Sequence, residues 1–290
     1  MKRVKKKNIL LLKHKKLCVL LIIIFIIFMF IFVGVPFIIS SYERNLEYPE
    51  IGESINNDVR NSIVFVGFEV RSDDSVVESS DGVSTIESTS ISPMGAGAIV
   101  FKKENNKYYA LTANHVVESK NIVNMYAVGY DENWLTGDYE KFPKIDVEYF
   151  DKSKDLAIIS FYSDEYWGVL NISKDKLKAN DKIFTISSPN IFNDVDYYSN
   201  RNKLSYGIVL QTNVTRKAKY DGDYYKLNNA FLNTLYVGNG SSGSGIINDK
   251  MEIVGIVHAG GKSIFGSQIS CFGIPNDVIN VFLDDWNSKE

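Results

Sequence analysis

The sequence is poor in cysteine, which argues against a fold held together by disulfides. Only two of the 290 residues are cysteines. Cys18 lies inside a long apolar stretch near one end of the chain, whereas Cys271 lies in a strand-like stretch near the other. Because these two residues are not expected to pair, the folded part must rely on its hydrophobic core. The strand context of Cys271 also argues against a catalytic thiol at this position.

Histidine is also scarce, and this argues against a zinc site. The three histidines are His14, His115 and His258, and the first of them lies in a basic N-terminal segment. Paired cysteines at the spacing of a zinc site do not occur either. The sequence has no internal repeat and no glycine-rich phosphate loop. We therefore expect neither a metal nor a cofactor.

Charge is distributed unevenly along the chain. Residues 1–16 contain eight lysines and arginines and no acidic residue, which leaves 24 basic against 35 acidic residues in the remainder. A domain with this excess of negative charge repels a phosphate backbone. Nucleic acid is therefore not an expected partner.

Residues 17–39 form an apolar stretch of 23 residues without a charge. As a helix it would be roughly 35 Å long, enough to cross the hydrocarbon core of a membrane. The basic residues before it would stay in the cytoplasm. This predicts a single-pass cell-membrane protein with a cytoplasmic tail over 1–16, a transmembrane signal anchor over 17–39, a stalk over 40–60 and an extracytoplasmic domain. The alternative is a cleaved signal peptide, whose apolar region is shorter, at about 7–15 residues, and ends at a small-residue cleavage site.

The rest of the chain contains many short β-rich runs between turn signals, which indicates an all-β sandwich or barrel. The predicted strands are 63–70, 96–101, 108–113, 121–128, 147–150, 156–161, 182–187, 204–211, 234–237, 245–247, 253–257 and 268–273. Residues 275–286 are predicted to form a C-terminal helix. The serine-rich and acidic residues 72–93 are predicted to form a long exposed loop. The oligomeric state is not predictable from these patterns.

Three polar positions in this β-rich background match the parts of a nucleophilic catalyst. His115 follows the apolar strand 109–113, Asp155 precedes the buried run 156–159, and Ser242 lies in the Gly-Ser-Ser-Gly-Ser-Gly run 240–245. A serine hydroxyl needs a base to remove its proton, a neutral imidazole can do so near pH 7, and a carboxylate can orient that imidazole. The three residues occur in the order His, Asp, Ser.

Several alternatives remain at these positions. Asp151 is the nearest rival to Asp155, but it lies in a turn rather than at the mouth of a buried strand. Ser241 and Ser244 lack the flanking pattern of Ser242, whose own N–H could form an oxyanion hole with that of Gly240. The nucleophile elbow of the α/β-hydrolases does not fit, because the second residue after Ser242 is not glycine.

With these motifs, the chain resembles the trypsin-like (chymotrypsin-fold) serine peptidases, particularly the bacterial Deg/Htr-type proteases and glutamyl endopeptidases. The resemblance rests on Thr-Ala-Asn-His at 112–115, Asp-Leu-Ala at 155–157, the run 240–245 and the stretch 253–260. It covers about residues 60–286, without a following PDZ domain. It implies two six-stranded antiparallel β-barrels, the first about 61–165 and the second about 170–274, with the cleft between them and the C-terminal helix after the second.

The resemblance also implies where the substrate pocket lies, at about 235–240 and 257–261. Tyr236 stands six residues before Ser242, where a trypsin-like specificity would place aspartate, so cleavage after arginine or lysine is not expected. His258 is one position away from a pocket histidine of glutamyl endopeptidases, and Gly260 would line the same pocket. An acidic P1 residue and a small or aliphatic one remain alternatives, as does plain packing of His258 at a strand end.

Two functions follow from this interpretation. The first is a membrane-anchored extracytoplasmic serine endopeptidase that acts on protein or peptide substrates through His115, Asp155 and Ser242. The second is a catalytically inactive relative that uses the same barrels for binding at the cell surface. The complete set of three side chains favours the enzyme.

Overall fold

A computed structural model describes residues 21–25, 57–71, 75–79, 82–86, 89–118, 121–136, 138–220, 223–262 and 268–289. The chain divides into two compact units, residues 1–54 and residues 55–290. In the first unit, residues 21–25 are helical. Over the described parts of the chain, no helix has the length and hydrophobicity needed to cross a membrane. Most of the predicted signal anchor at 17–39 and the tail before it lie outside the described residues, so both stay predictions.

The second unit is built mainly of β-strands. A short helix α1 (Asn57–Ser62) leads into the first strand, α2 (Asn114–Val117) follows the fifth, α3 (Asp194–Asn200) precedes the tenth, and α4 (Asn276–Asn287) closes the chain. Two 3₁₀ turns, Trp134–Thr136 and Tyr139–Lys141, lie between the sixth and seventh strands. The strands are β1 (Ile63–Arg71), β2 (Ser75–Ser79), β3 (Gly82–Ile86), β4 (Thr89–Glu104), β5 (Lys107–Ala113), β6 (Ile122–Val128), β7 (Asp146–Asp151), β8 (Leu156–Tyr162), β9 (Lys182–Ser187), β10 (Lys203–Tyr220), β11 (Asp223–Asn233), β12 (Gly245–Asn248), β13 (Ile253–Lys262) and β14 (Gln268–Pro275).

Two six-stranded antiparallel sheets form the architecture, as predicted. The first has the strand order β6-β1-β4-β5-β8-β7, and the second is a closed barrel with the order β10-β11-β14-β13-β12-β9. The pair is the chymotrypsin-like double barrel, and α4 confirms the predicted C-terminal helix. The hairpin of β2 and β3 pairs separately from both sheets.

Each six-stranded sheet encloses its own apolar core. The strands β5 and β8 are buried along almost their whole lengths, so both of their faces are covered. Such strands have continuous apolar sequences instead of the alternation of a half-exposed strand. In the first sheet the core includes Val64, Val66, Ala98, Val100, Ala110, Ile159, Phe161 and Trp167. In the second it includes Ile183, Val209, Phe231, Leu235, Val237, Ile246, Val254 and Val257.

The predicted strand pattern is wrong in three places, and the first is β11, because no strand was predicted over Asp223–Asn233. Residues 234–237 do not form a strand, because β11 ends at Asn233 and the side chain of that residue accepts a hydrogen bond from the Leu235 N–H. Leu235 and Val237 are nevertheless buried in the second core, so their alternation reflects packing. Residues 72–93 are not simply a loop, since they contain the β2–β3 hairpin and the start of β4. The serine-rich composition of this segment is typical of loops, but its backbone forms the paired strands β2 and β3.

The loop over residues 240–245 of the second barrel packs directly on β4 of the first sheet. The N–H of Gly97 donates to the carbonyl of Ser242 at 2.8 Å, and the Thr112 hydroxyl donates to the carbonyl of Gly97 at 2.8 Å. A Cβ atom added to Gly97 would lie 2.0 Å from Ser244 Oγ and 2.7 Å from Ser244 Cα. The two sheets therefore approach at backbone distance only because residue 97 has no side chain.

Gly97→Ala should lower the free energy of unfolding by about 3 kcal/mol, because backbone atoms of the loop would have to move away from the added methyl group. Chemical denaturation measures this change. Gly129→Ala is the matched control, since a Cβ there meets only the side chain of Glu132 and should cost less than about 1 kcal/mol. Equal stability of the Gly97→Ala variant and the unsubstituted protein would contradict this account of the packing.

Candidate active site

The register of two neighbouring strands brings Asp155 to His115. Ala113 at the end of β5 pairs with Leu156 at the start of β8. The segment that follows Ala113 and carries His115 therefore lies next to Asp155, which precedes Leu156. Asp155 has a left-handed backbone, with φ of 51°, and its carbonyl accepts a hydrogen bond from the Asn114 N–H at 3.1 Å. A non-glycine residue in this region of backbone space is uncommon and is held by its surroundings.

Asp155 holds His115 at two points. Its Oδ1 accepts the backbone N–H of His115 at 2.9 Å, and its Oδ2 lies 2.8 Å from the Nδ1 of the imidazole. The Asp155 side chain is fully buried. The rival carboxylate of Asp151 instead bonds Ser153 and Lys154 in the preceding turn. The structure thus brings Asp155 to the imidazole and gives Asp151 other partners.

A second histidine contacts the same carboxylate. The Nδ1 atom of His258, in β13, lies 2.6 Å from Asp155 Oδ2, and the ring is 0% exposed. The rings of His115 and His258 meet edge to face, with centroids 5.8 Å apart. The sequence analysis missed this contact. The only signal available for it was that these two are the only histidines beyond the basic N-terminal segment.

These contacts determine the charge of the cluster. Burial raises the pKa of the Asp155 carboxyl, but the hydrogen bonds and charges of His115 and His258 outweigh burial and bring this pKa to about 2. Burial lowers the pKa of His258 below its usual value, although Asp155 opposes that change. Near neutral pH the cluster therefore combines an ionised Asp155 with a neutral His258.

The distances between His115, Asp155 and His258 are those of hydrogen bonds and are shorter than those between the ligands of a metal ion. His115, Asp155 and His258 offer three ligand atoms within 4.8 Å of one another, a set that could in principle hold a metal ion. A tetrahedral zinc ion with bonds of about 2.0 Å separates its ligands by about 3.3 Å. Both imidazole nitrogens lie closer to Asp155 Oδ2 than this, at distances that accommodate a shared proton.

Ser242 lies in a loop that two glycines shape. Gly240 and Gly243 have φ of 93° and 82°, a region that favours glycine. The neighbouring serines are buried, Ser241 at 0% and Ser244 at 2% exposure, whereas Ser242 is half-buried. The Ser242 hydroxyl lies 3.5 Å from the backbone carbonyl of His258, at the outer limit for a hydrogen bond. Of the three serines in this loop, Ser242 is thus the most exposed.

The two N–H groups predicted to form an oxyanion hole belong to the same loop. The loop backbone is fixed by hydrogen bonds from Ser241 N to Gly238 O and from Ser244 N to Ser241 O, at 3.0 and 3.2 Å. The N–H groups of Gly240 and Ser242 donate to no other residue within the described ranges. They are therefore available to an anionic oxygen, and the assignment itself stays a prediction.

The residues predicted to line the substrate pocket differ in their exposure to solvent. Tyr236 is 54% exposed, and its hydroxyl accepts a hydrogen bond from the Asn190 side chain. Gly260 lies in an exposed part of β13, opposite Cys271. His258 has a fully buried ring that contacts Asp155 instead. Cys271 is also buried, and burial raises the pKa of its thiol to about 12, which is the opposite of what a nucleophilic thiolate requires.

Comparison with known families identifies this class of protein. The trypsin-like peptidase domain family matches residues 95–256, which include His115, Asp155 and Ser242. The chain therefore belongs to the family of trypsin-like peptidase domains. No curated protein matches the sequence.

Solved structures show the same fold at low sequence identity. The HtrA-type protease AlgW, solved with a decapeptide, aligns with a TM-score of 0.55 and 14% identity over 79% of this chain and 65% of its own. The Rv3671c protease from M. tuberculosis, in its active form, aligns with a TM-score of 0.50 and 13% identity over 76% of this chain and 78% of its own. This chain thus spans less than two thirds of the AlgW structure.

The lowered pKa of Asp155 should appear in the acid stability of the protein. Since the carboxyl titrates near 2 when folded and near 3.8 when unfolded, its stabilisation is complete above pH 4 and is lost as the pH falls toward 2. Over that interval the unsubstituted protein should lose roughly 2 kcal/mol more of its free energy of unfolding than Asp155→Asn does.

Urea denaturation at a series of pH values measures this difference. Asp164→Asn is the control, because Asp164 is an exposed carboxylate whose bond is to Asn106, and this variant should follow the unsubstituted protein. If the stability of the Asp155→Asn variant and that of the unsubstituted protein depend on pH in parallel, the lowered pKa of Asp155 is contradicted.

Proposed function

We propose that the protein is a membrane-anchored, extracytoplasmic serine endopeptidase. The observation that carries the proposal is the double contact of the Asp155 carboxylate with the backbone and the ring of His115. Such a carboxylate holds the imidazole in the tautomer that carries its proton on Nδ1, so that Nε2 can accept a proton. Ser242, in the loop that packs on the same sheet, is the proposed nucleophile.

The proposed reaction proceeds through an acyl-enzyme. The proton of the Ser242 hydroxyl passes to His115 Nε2 while Oγ attacks the carbonyl carbon of the peptide bond. The negative oxygen that forms accepts hydrogen bonds from the N–H groups of Gly240 and Ser242. The imidazolium then gives its proton to the departing amine as the C–N bond breaks. Water attacks the ester by the same route, which releases the acid and restores the serine.

The membrane attachment rests on the sequence alone. The apolar stretch 17–39 is long enough to span a bilayer, and the basic residues before it favour a cytoplasmic N-terminus. The catalytic domain would then meet proteins or peptides outside the cytoplasm. A decapeptide bound to AlgW is an example of the kind of substrate that a related fold accommodates.

Labelling with a fluorophosphonate probe tests the nucleophile, since Oγ of an activated serine displaces fluoride from phosphorus. The full-length protein in detergent should be labelled, whereas Ser242→Ala should not, and His115→Ala should react at least about 100-fold more slowly because the base is lost. Ser163→Ala, at a half-buried position whose N–H donates to the Asn106 carbonyl, should react like the unsubstituted protein. Equal labelling of all four proteins would contradict the proposal, and complete absence of labelling would favour the inactive binding protein.

Digestion of a peptide library should show no preference for arginine or lysine before the cleaved bond. The reason is that the position six residues before Ser242 carries the uncharged side chain of Tyr236, which cannot pair with a basic residue. Mass spectrometry of the products identifies the preferred residue and separates an acidic preference from a small or aliphatic one. Predominant cleavage after arginine or lysine would contradict this prediction.

A further inference from the structure

His258 contacts all three proposed catalytic residues, since its ring also meets that of His115 edge to face. Its ring nitrogen Nδ1 lies 2.6 Å from Asp155 Oδ2, and its backbone carbonyl lies 3.5 Å from the Ser242 hydroxyl. It comes from the second barrel, whereas His115 and Asp155 come from the first sheet. The residue therefore bridges the two halves of the site at the carboxylate.

The protons around Asp155 can be assigned from these distances. An ionised carboxylate only accepts hydrogen bonds, so each nitrogen within hydrogen-bonding distance of it must carry a proton. Oδ2 has two such neighbours, the Nδ1 atoms of His115 and His258, and Oδ1 has the backbone N–H of His115. A neutral His258 carries its single ring proton on Nδ1 and leaves Nε2 without one.

We propose that His258 is a positioning residue, which donates its Nδ1–H to Asp155 and so keeps that carboxylate ionised and directed at His115. This role depends on the proposed peptidase function for its catalytic consequence, but the hydrogen bond can be tested separately. His258 does not touch the reacting atoms of a substrate through its ring, because that ring is fully buried. It acts through Asp155.

Burial, more than the charged groups around it, keeps the ring of His258 neutral. Asp155 lies before β8 and favours the charged form, while His115 on α2, Arg216 on β10 and burial itself disfavour it. Burial is the largest of these effects and lowers the pKa of His258. The Nδ1–H donor is therefore retained at pH values at which an exposed histidine gains a second proton.

Nuclear magnetic resonance of the full-length protein, labelled with ¹⁵N-histidine, tests the hydrogen bond directly. The sequence has only three histidines, so the signals can be assigned with His14→Ala, His115→Ala and His258→Ala. His258 should show a protonated Nδ1 and an unprotonated Nε2 at pH 7 and should remain in this form as the pH falls below 6.5. A proton on Nε2 alone, or a charged ring at pH 7, would overturn the proposal.

Two amide substitutions test the catalytic consequence. The amide nitrogen of asparagine can occupy about the place of histidine Nδ1, whereas that of glutamine corresponds to Nε2. His258→Asn should therefore keep kcat for a peptide substrate within about threefold of the unsubstituted value. His258→Gln and His258→Leu should lower kcat by about 10- to 100-fold with KM within about twofold, because Asp155 loses a donor and its orientation.

The pH dependence of stability separates positioning from a merely structural role. Without the donor, the Asp155 carboxylate of the folded protein binds a proton more readily, so the stability lost on acidification should be lost at a pH roughly one unit higher in His258→Leu and His258→Gln. His258→Asn should keep the original pH dependence of stability. All assays contain a chelator, so that stray metal ions do not inhibit, and the thermal unfolding of each variant is measured alongside. If His258→Leu does not fold, the asparagine and glutamine pair decides.

The outcomes of these experiments distinguish the two proposals. Activity that survives in Ser242→Ala would overturn the proposed function, whereas the tautomer of His258 would still be measured. An active protein whose kcat and pH dependence of stability are unchanged in His258→Leu would overturn the positioning role alone. Equal losses in His258→Asn and His258→Gln would do the same, because the position of the donor would then be irrelevant.

Discussion

The buried negative charge of Asp155 is the constraint on which the site depends. A carboxylate without exposure to water is costly unless several donors satisfy it. Here the donors are the backbone N–H and the ring of His115 and the ring of His258. These donors lie on different segments, one after β5 and the other in β13. The charge is therefore tolerated only when both halves of the double barrel are in their native positions.

The close approach of the two sheets depends on residues that lack side-chain bulk. Gly97 in β4 and Gly243 in the loop face each other, since a Cβ on Gly243 would lie 2.2 Å from the Gly97 carbonyl and 2.1 Å from Thr112 Oγ1. Gly245 packs on Ile99 in the same way. The glycines of the serine-containing run thus serve both the backbone conformation of the loop and its distance from the first sheet. A sequence motif that suggests a catalytic loop is here also a packing motif.

Much of the fold could be predicted from the sequence because the strands carry a local signal. The apolar runs of β5 and β8 and the polar residues at their ends were sufficient to locate His115 and Asp155. The strand predicted at 234–237 is wrong because apolar alternation also arises in an irregular segment that packs into a core. The β2–β3 hairpin escaped prediction because its serine and acidic residues are typical of loops. Each error lies where tertiary packing or backbone pairing outweighs local preference.

The contact between His258 and Asp155 could not be predicted, because it joins residues 103 positions apart on different barrels. No local pattern specifies that one carboxylate will contact both histidines. The two rings differ in exposure in the folded chain. The His115 side chain retains 7% exposure, whereas the His258 side chain has none. Both imidazoles share one acceptor oxygen, and the Nε2 atoms of both are buried. The proposed role of His115 as the base therefore rests on its residual exposure together with the two contacts that Asp155 makes to it.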